Sequence, residues 1–347
     1  MVHSSNQDDN CSDNVFQILS LDGGGIRGIF SAAMLDYFER HLCKKNGSGI
    51  IDHFDLITGT STGGIIALGL SIGLRPREIV EFYKHYGDKI FTSTWGRQGA
   101  IYAKYPSEPL ERALIDKFEQ KTLEDCSKRL VIPAYNIDNG NNEADESFLF
   151  KTPHLVTSGR DYSTPLWQIG LATSSAPTYF PVCKKIKNSR LIDGGMWANN
   201  PILIGISEAT KILREKKRGK NCTIRVLSLG TGKTINNFSK KMEDSGLLYW
   251  ATSLIDIFMT AQSTSANHYA GYWIGKENIL RIDPVLSQNV PLDSSPTSEE
   301  VKRHLLFHLD IFGKNYLNNF NEMFTGHTAP EYTPYEHQEE KKPRKFA

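Results

Sequence analysis

Chemistry in this chain concentrates at Gly59-Thr60-Ser61-Thr62-Gly63, a serine held between glycines where an apolar run ends. The pattern is that of a nucleophile elbow, in which the serine occupies the sharp turn between a strand and a helix. Phe54, Leu56 and Ile57 supply a short buried strand, and Gly63, Gly64, Ile65, Ile66, Ala67 and Leu68 supply a tightly packed helix start. Glycine suits both flanks because the backbones approach closely there, and a Cβ would oppose the approach and the strained φ. The free N–H groups of the helix then point at the charge formed when Ser61 attacks a carbonyl. By itself, the pentapeptide fits a purely structural turn equally well.

A second glycine turn, Asp22-Gly23-Gly24-Gly25-Ile26-Arg27-Gly28, follows an apolar strand over Val15 to Leu21 and precedes a helix from about Ile29 to Cys43. Gly23 to Gly28 satisfies G-x-G-x-x-G, the fingerprint of a Rossmann-type dinucleotide-binding module. That reading expects an acidic residue at the end of the second strand, where this chain has the Ser61 elbow instead. The same physics serves an oxyanion hole: consecutive glycine amides, unobstructed by side chains, aimed at a carbonyl oxygen.

Asp193-Gly194-Gly195 follows Leu191-Ile192, an aspartate at a strand end with glycines that let the chain turn away. Such an aspartate can face a neighbouring strand end, as Ser61 would. With an ordinary pKa of ~3.9 it is a poor base, so partial burial has to raise it before it helps deprotonate serine. An Asp-Gly turn is the plain alternative. His268, His304 and His308 all follow Asp193, so any could complete a Ser-Asp-His triad, although each also suits a structural place. Gly230-Thr231-Gly232-Lys233-Thr234 mimics the end of a P-loop, but the first motif glycine falls on Leu227, which excludes an ATP site.

The elements that must position these groups sit in a chain of 347 residues with 39% hydrophobic content, enough for a substantial core. Forty basic against 39 acidic residues leave a formal charge of +1, so no global field argues for a nucleic-acid polymer. Five scattered cysteines without C-x-x-C spacing fit reduced thiols and offer no metal site. The N-terminus lacks the basic and apolar regions of a signal peptide, and the longest apolar stretch, Ile65 to Leu74, is interrupted and far short of a span of ~20 residues. A cytoplasmic protein with only peripheral membrane contact is expected.

Further along, helices are expected over Arg77 to Phe91 and Leu110 to Phe118, and strands over Leu130 to Ile137, Ser147 to Phe150 and Thr223 to Leu229. The aromatic- and glycine-rich loop from Thr92 to Tyr105 could serve as a lid. Asp244-Ser245 caps a helix whose apolar face carries Leu247, Trp250, Ala251, Leu254, Ile257 and Phe258. A capping box from Thr297 to Glu300 opens a helix running to about Phe324. The expected organisation is a disordered segment over 1–14, one hydrolase domain over 15–325 with a helical elaboration from about 240, and a flexible tail over 326–347.

Taken together, four ordered elements resemble the patatin-like phospholipases: Asp22 to Gly28, Gly59 to Gly64, Ser174-Ser175-Ala176-Pro177-Thr178-Tyr179-Phe180-Pro181, and Asp193 to Gly195. The resemblance covers roughly Gln17 to Thr231 and extends to Asn199-Asn200-Pro201. It implies an α/β fold, a three-layer α/β/α sandwich with a mainly parallel sheet, and a Ser-Asp dyad without histidine or metal. On this resemblance Ser61 is the nucleophile and Asp193 the base. The amides of Gly24, Gly25 and Ile26 form the oxyanion hole, and Arg27 is the loop's basic residue. The implied activity is cleavage of fatty-acyl esters of membrane phospholipids, with contact at the inner membrane when active.

A looser likeness, in the glycine loop and the segment from Leu247 to Ile282, is to bacterial patatin-like effectors of antiphage defence. It implies a cyclic dinucleotide, such as cyclic GMP-AMP, as activator, and a homo-oligomer on activation. Lys233, Tyr249, Trp250, Tyr272, Trp273 and Arg281 are the residues whose chemistry suits such a ligand. A constitutive lipid hydrolase is the alternative.

Overall fold

The computed structural model describes residues 15–42, 49–92, 102–138, 146–155, 162–215, 222–234, 247–286, 288, 290–307, 309–330, 332 and 334, with the side chains of 234 and 247–256 excepted. The expected disorder over 1–14, the lid residues 93–101, the cap at Asp244-Ser245, the side chains of Tyr249 and Trp250, His308 and the end of the tail lie outside the described residues.

In chain order the elements are β1 (Val15–Leu21), α1 (Gly28–Leu42), β2 (Leu56–Gly59), α2 (Thr62–Ser71), α3 (Pro76–Ile90), α4 (Glu108–Phe118), β3 (Arg129–Asp138), β4 (Glu146–Lys151), α5 (Leu166–Thr173), β5 (Arg190–Asp193), α6 (Gly195–Ala198) and α7 (Ile202–Glu215). Then come β6 (Thr223–Leu229), β7 (Lys233–Thr234), α8 (Leu247–Ile274), β8 (Ile279–Ile282), β9 (Val285–Leu286) and α9 (Leu309–Phe324). The main sheet runs β4-β3-β2-β1-β6-β8, with β5 pairing the far end of β3. Strands β3, β2, β1, β6 and β8 are parallel; β4 and β5 lie antiparallel to β3.

Alternation along each strand divides the core in two. Leu19 and Leu21 of β1, Ile57 of β2, Leu130, Ile132 and Ala134 of β3, and Leu227 and Leu229 of β6 meet α1, α2, α3, α4, α5 and α9 on one face. Phe16 and Ile18, Leu56, Val131 and Val226 point the other way, against α7 and the Ala266–Ala270 part of α8. Central strands buried on both faces must be apolar almost throughout, which is why β1, β2 and β6 read as short hydrophobic runs instead of alternating ones. The result is the expected α/β/α sandwich with a mainly parallel sheet.

Helix α9 docks by two aromatic residues one turn apart. Phe320 stacks on Phe38 of α1 at 4.6 Å and meets Phe324 at 5.2 Å, with Phe54 beside both. Burying rings of this size stabilises by roughly 2–3 kcal/mol each.

The approach to α9 differs from expectation. Thr297 and Glu300 form no capping box: the Ser298 hydroxyl accepts from the Val301 amide at 3.2 Å, and the chain makes a π-helical stretch over Val301–Leu306 before α9 begins. The segment after Gly326 is docked, not loose, as far as Tyr332. His327 and Ala329 are buried, His327 Nε2 lies 2.8 Å from Asp55, and the Ala329 amide donates to Asp52.

Candidate active site

Ser61 stands between β2 and α2 with φ 54° and ψ −122°, a conformation that non-glycine residues adopt only when the surroundings enforce it. Here the enforcement is backbone crowding. A Cβ on Gly59 would lie 2.2 Å from the Gly63 carbonyl oxygen, and one on Gly63 would lie 2.3 Å from that of Leu21. The Thr60 amide donates to Leu21, and the Ser61 amide donates to Thr173 Oγ1 at 3.0 Å, which in turn donates to the Pro133 carbonyl. The elbow is thus tied to β1, β3 and the end of α5.

Asp193 ends β5, opposite Ala134 of β3, and its amide donates to the Ser175 carbonyl. Its carboxylate accepts from the Gly195 amide at 2.6 Å and faces the Ser61 hydroxyl. The side chain is buried. Burial pushes its pKa from 3.8 up to about 6, and the Ser61 and Gly195 hydrogen bonds restrain the rise. A carboxylate in that range is ionised at neutral pH yet basic enough to take a proton from serine in a transition state. Gly194 packs against Pro133, which brings the end of β5 close to β3.

The glycine loop after β1 faces the same point. Gly24, Gly25 and Ile26 border a pocket that also holds Ser61 and Asp193. Among the described residues the Gly24 and Gly25 amides have no hydrogen-bond partner, whereas the Ile26 amide donates to the Leu292 carbonyl at 2.8 Å. Ile26 therefore drops out of the expected three-amide hole, because Leu292 crosses over the loop and its carbonyl accepts the hydrogen bond of that amide. The same crossing counts against the dinucleotide reading, since a Cβ on Gly25 would lie 2.3 Å from the Leu292 oxygen and no pyrophosphate fits there. Gly23 donates to the Asn199 carbonyl, and Gly28 begins α1 against Thr62.

Beyond the reacting groups the pocket is apolar, walled by Ile65, Phe82, Ile90, Phe91, Leu110 and Phe180. Met196, partly exposed, and Met259 of α8 stand on the same lining. A long hydrocarbon chain fits such walls and a charged substrate tail does not. Tyr83 closes one side, its hydroxyl bonded to the Thr62 hydroxyl and, at 3.1 Å, to the Thr62 carbonyl.

Behind the loop lies a charged cluster that sequence reasoning assigned elsewhere. Arg281 forks onto both carboxylate oxygens of Asp22 at 2.8 and 2.6 Å, and also donates to Ser228, Ser263 and Asp283. The Ser263 hydroxyl of α8 donates to Asp22 at 3.0 Å. Asp283 in addition accepts from the Gly232 amide and pairs with Lys233 at 3.4 Å. Arg281 is therefore engaged with two buried carboxylates and is not a phosphate contact; its fork holds the residue from which the glycine loop departs. The only sequence signal was a polar residue, Arg281, inside an apolar strand. Arg27 borders the polar recess on this side, with Thr231 and Lys233, and does not line the acyl pocket.

Of the candidate histidines, His268 and His304 do not join Ser61 and Asp193, and His308 lies outside the described residues. His268 is on α8, its Nε2 3.0 Å from the exposed Tyr272 hydroxyl, and His304 lies in the π-helical stretch. Tyr272 and Trp273 are exposed at the end of α8. Among the described residues no cluster of His, Cys, Asp and Glu could hold a metal ion, and no helix is long and apolar enough to cross a membrane.

A strained serine against a buried carboxylate, beside two open amides and an apolar pocket, is the equipment of an acyl-ester hydrolase. Comparison with known proteins gives the family. The patatin-like phospholipase family model matches residues 19–206, and the chain belongs to that family. A cGAMP-activated phospholipase of Pseudomonas aeruginosa is 32% identical over 280 residues, 77% of this chain and 78% of the relative. Proteins of the same description from Escherichia coli and Vibrio cholerae are 37% and 36% identical, and the matched stretches span 62% and 64% of their lengths. Among solved structures, VipD from Legionella pneumophila aligns with a TM-score of 0.40 and 14% identity, covering 88% of this chain and 67% of that one.

Proposed function

We propose that the chain hydrolyses fatty-acyl esters of membrane phospholipids through Ser61 and Asp193. The observation that carries this reading is the strained Ser61 facing the buried Asp193 carboxylate, whose pKa burial raises, at the base of an apolar pocket. Asp193 takes the hydroxyl proton as Ser61 Oγ bonds to the acyl carbon. The oxyanion formed accepts from the Gly24 and Gly25 amides, which border the same pocket. Collapse expels the lipid alcohol, to which Asp193 gives its proton, leaving the acyl group on Ser61. Water then attacks that ester with Asp193 again as base.

Control by a cyclic dinucleotide such as cyclic GMP-AMP belongs to the same proposal, supported by what the three bacterial relatives are named for. The dyad and both amides lie in one chain, so the ligand acts on access or assembly and supplies no catalytic group. A ligand shifts such an equilibrium only by binding the open or assembled state more tightly. The active form is a homo-oligomer in peripheral contact with the inner membrane, its pocket opened toward lipid.

Fatty-acid release from phospholipid vesicles, measured across a panel of cyclic di- and trinucleotides with mass followed in parallel, tests each layer. Release that needs one cyclic dinucleotide and coincides with a larger particle is expected. Full release without nucleotide removes the switch, and activation at constant monomer mass removes assembly. Full release by folded Ser61→Ala would falsify the catalytic assignment itself.

A further inference from the structure

Asn199 stands beside the reacting pair, and none of the steps above uses its side chain. It is buried, and among the described residues its Oδ1 has no hydrogen-bond partner. Its backbone is pinned on both sides. The Ala198 carbonyl accepts the Thr60 hydroxyl at 2.6 Å, and the Asn199 carbonyl accepts the Gly23 amide at 2.9 Å. The residue is thereby tied to the elbow and to the glycine loop at once.

The position of that oxygen follows from its glycine neighbours. A Cβ built on Gly23 would lie 2.5 Å from Asn199 Oδ1 and 3.4 Å from Ser61 Cβ. One built on Gly195 would lie 3.0 Å from Asp193 Oδ1 and 3.4 Å from Asn199 Oδ1. The two carboxyl and carboxamide oxygens are therefore separated by at most about two hydrogen-bond lengths. A buried carbonyl oxygen without a donor bears its desolvation uncompensated, so the site calls for a donor small enough to enter between them. Asn199 also borders the polar recess behind the loop, with Arg27, Thr231 and Lys233. In an acyl-enzyme the apolar pocket is filled by the fatty chain, which leaves the polar side as the source of water.

We infer that Asn199 is a catalytic residue of the second half-reaction: its Oδ1 accepts one hydrogen of the hydrolytic water while Asp193 accepts the other. Two acceptors fix both hydrogens and aim the oxygen lone pair at the acyl carbon. The water oxygen bonds to that carbon and its proton passes to Asp193. The tetrahedral adduct then breaks the bond to Ser61 Oγ, which recovers the proton from Asp193, and the fatty acid leaves. Serine acylation makes no use of Asn199.

The inference rests on the Ser61–Asp193 reading, and its test separates the two. Native protein and Asn199→Ala, with cyclic GMP-AMP in every arm, are divided into two portions, one labelled with a fluorophosphonate and the other, unlabelled, given p-nitrophenyl butyrate in aqueous methanol. Methanol has a single hydroxyl hydrogen, which goes to Asp193, so it does not need Asn199. The expected result is an unchanged rate of labelling at Ser61, a burst of nitrophenol with butyryl-enzyme accumulating, and a ratio of methyl butyrate to butyrate about tenfold above native. That ratio is a property of the active molecules alone, so partial unfolding of the variant does not blur it. An unchanged ratio, or labelling that falls in step with turnover, overturns the role of Asn199 and leaves the dyad standing. Absence of labelling in the native protein overturns both.

Discussion

Two buried carboxylates on opposite sides of the sheet show how one residue class is put to different uses. Asp193, at the end of β5, accepts from one amide and faces a hydroxyl, and burial carries its pKa up to about 6. Glu208, on α7, is buried as well, and burial alone would raise it. Hydrogen bonds from His154 at 2.9 Å and from Lys151 outweigh that and hold it at about 2. His154 is itself kept from charging by its burial, and the Thr152 hydroxyl satisfies its other nitrogen at 2.8 Å. A carboxylate with a cation beside it is a locked structural charge, while one facing neutral donors is held ready to take a proton.

The largest effect expected from breaking this contrast is on turnover. Ser61→Ala or Asp193→Asn should reduce fatty-acid release by at least about 10⁴-fold, the scale set by removing members of other serine-based catalytic groups. Fluorophosphonate labelling and fatty-acid assay on the same preparations measure it, and a loss below tenfold in either variant would remove that residue from the dyad.

Stability should respond with opposite signs at the two sites. The folded pKa of Asp193 is raised, so its contribution to stability is full below about pH 3.8 and is lost as pH rises through about 6. At pH 8 the native fold carries the cost of an ionised buried carboxylate, of order 3 kcal/mol for a displacement of this size. Asp193→Asn should therefore unfold at higher denaturant concentration than native protein at pH 8 and lose that advantage at pH 4. Glu208→Gln should cost about 2 kcal/mol at pH 8, because Lys151 and His154 lose a charged acceptor. The folded pKa of Glu208 is depressed, so its contribution is present above about pH 4.5 and disappears as pH falls toward 2. Two variants shifting in the same direction at pH 8 would end the comparison.

Activity at low pH sharpens it further. The base must be ionised, so kcat/KM for a soluble ester should fall tenfold per pH unit below about pH 6. Glu208→Gln should keep the same acid limb. A limb near pH 4 would mean that Asp193 is not the titrating base.

The smallest effect concerns the clamp behind the glycine loop. Arg281→Lys keeps a charge but loses the fork onto Asp22, so the loop amides shift slightly from the oxyanion. A fall in kcat of about tenfold with KM unchanged is expected; a change confined to KM would assign Arg281 to ground-state binding instead.

Much of this was legible in the chain because it depends on local covalent constraints. Only glycine tolerates a backbone oxygen 2.2–2.3 Å from where its Cβ would be, so Gly59 and Gly63 mark the elbow without any tertiary knowledge. The strand over Val15 to Leu21 and that over Thr223 to Leu229 announce themselves as short apolar runs because both faces are covered. The order of glycine loop, elbow and Asp-Gly-Gly turn likewise identifies the family from sequence alone. What the sequence could not supply was pairing between residues far apart in the chain. Leu292 removes the Ile26 amide from the site, and Arg281 spends its charges on Asp22 and Asp283 instead of a phosphate. The tail after Gly326 is held by His327 on Asp55, and among the described residues Asn199 is left with an unmet acceptor beside Asp193. Those outcomes depend on which groups face each other across the fold and how much water remains between them, and desolvation and pairing take their values only when the chain has closed.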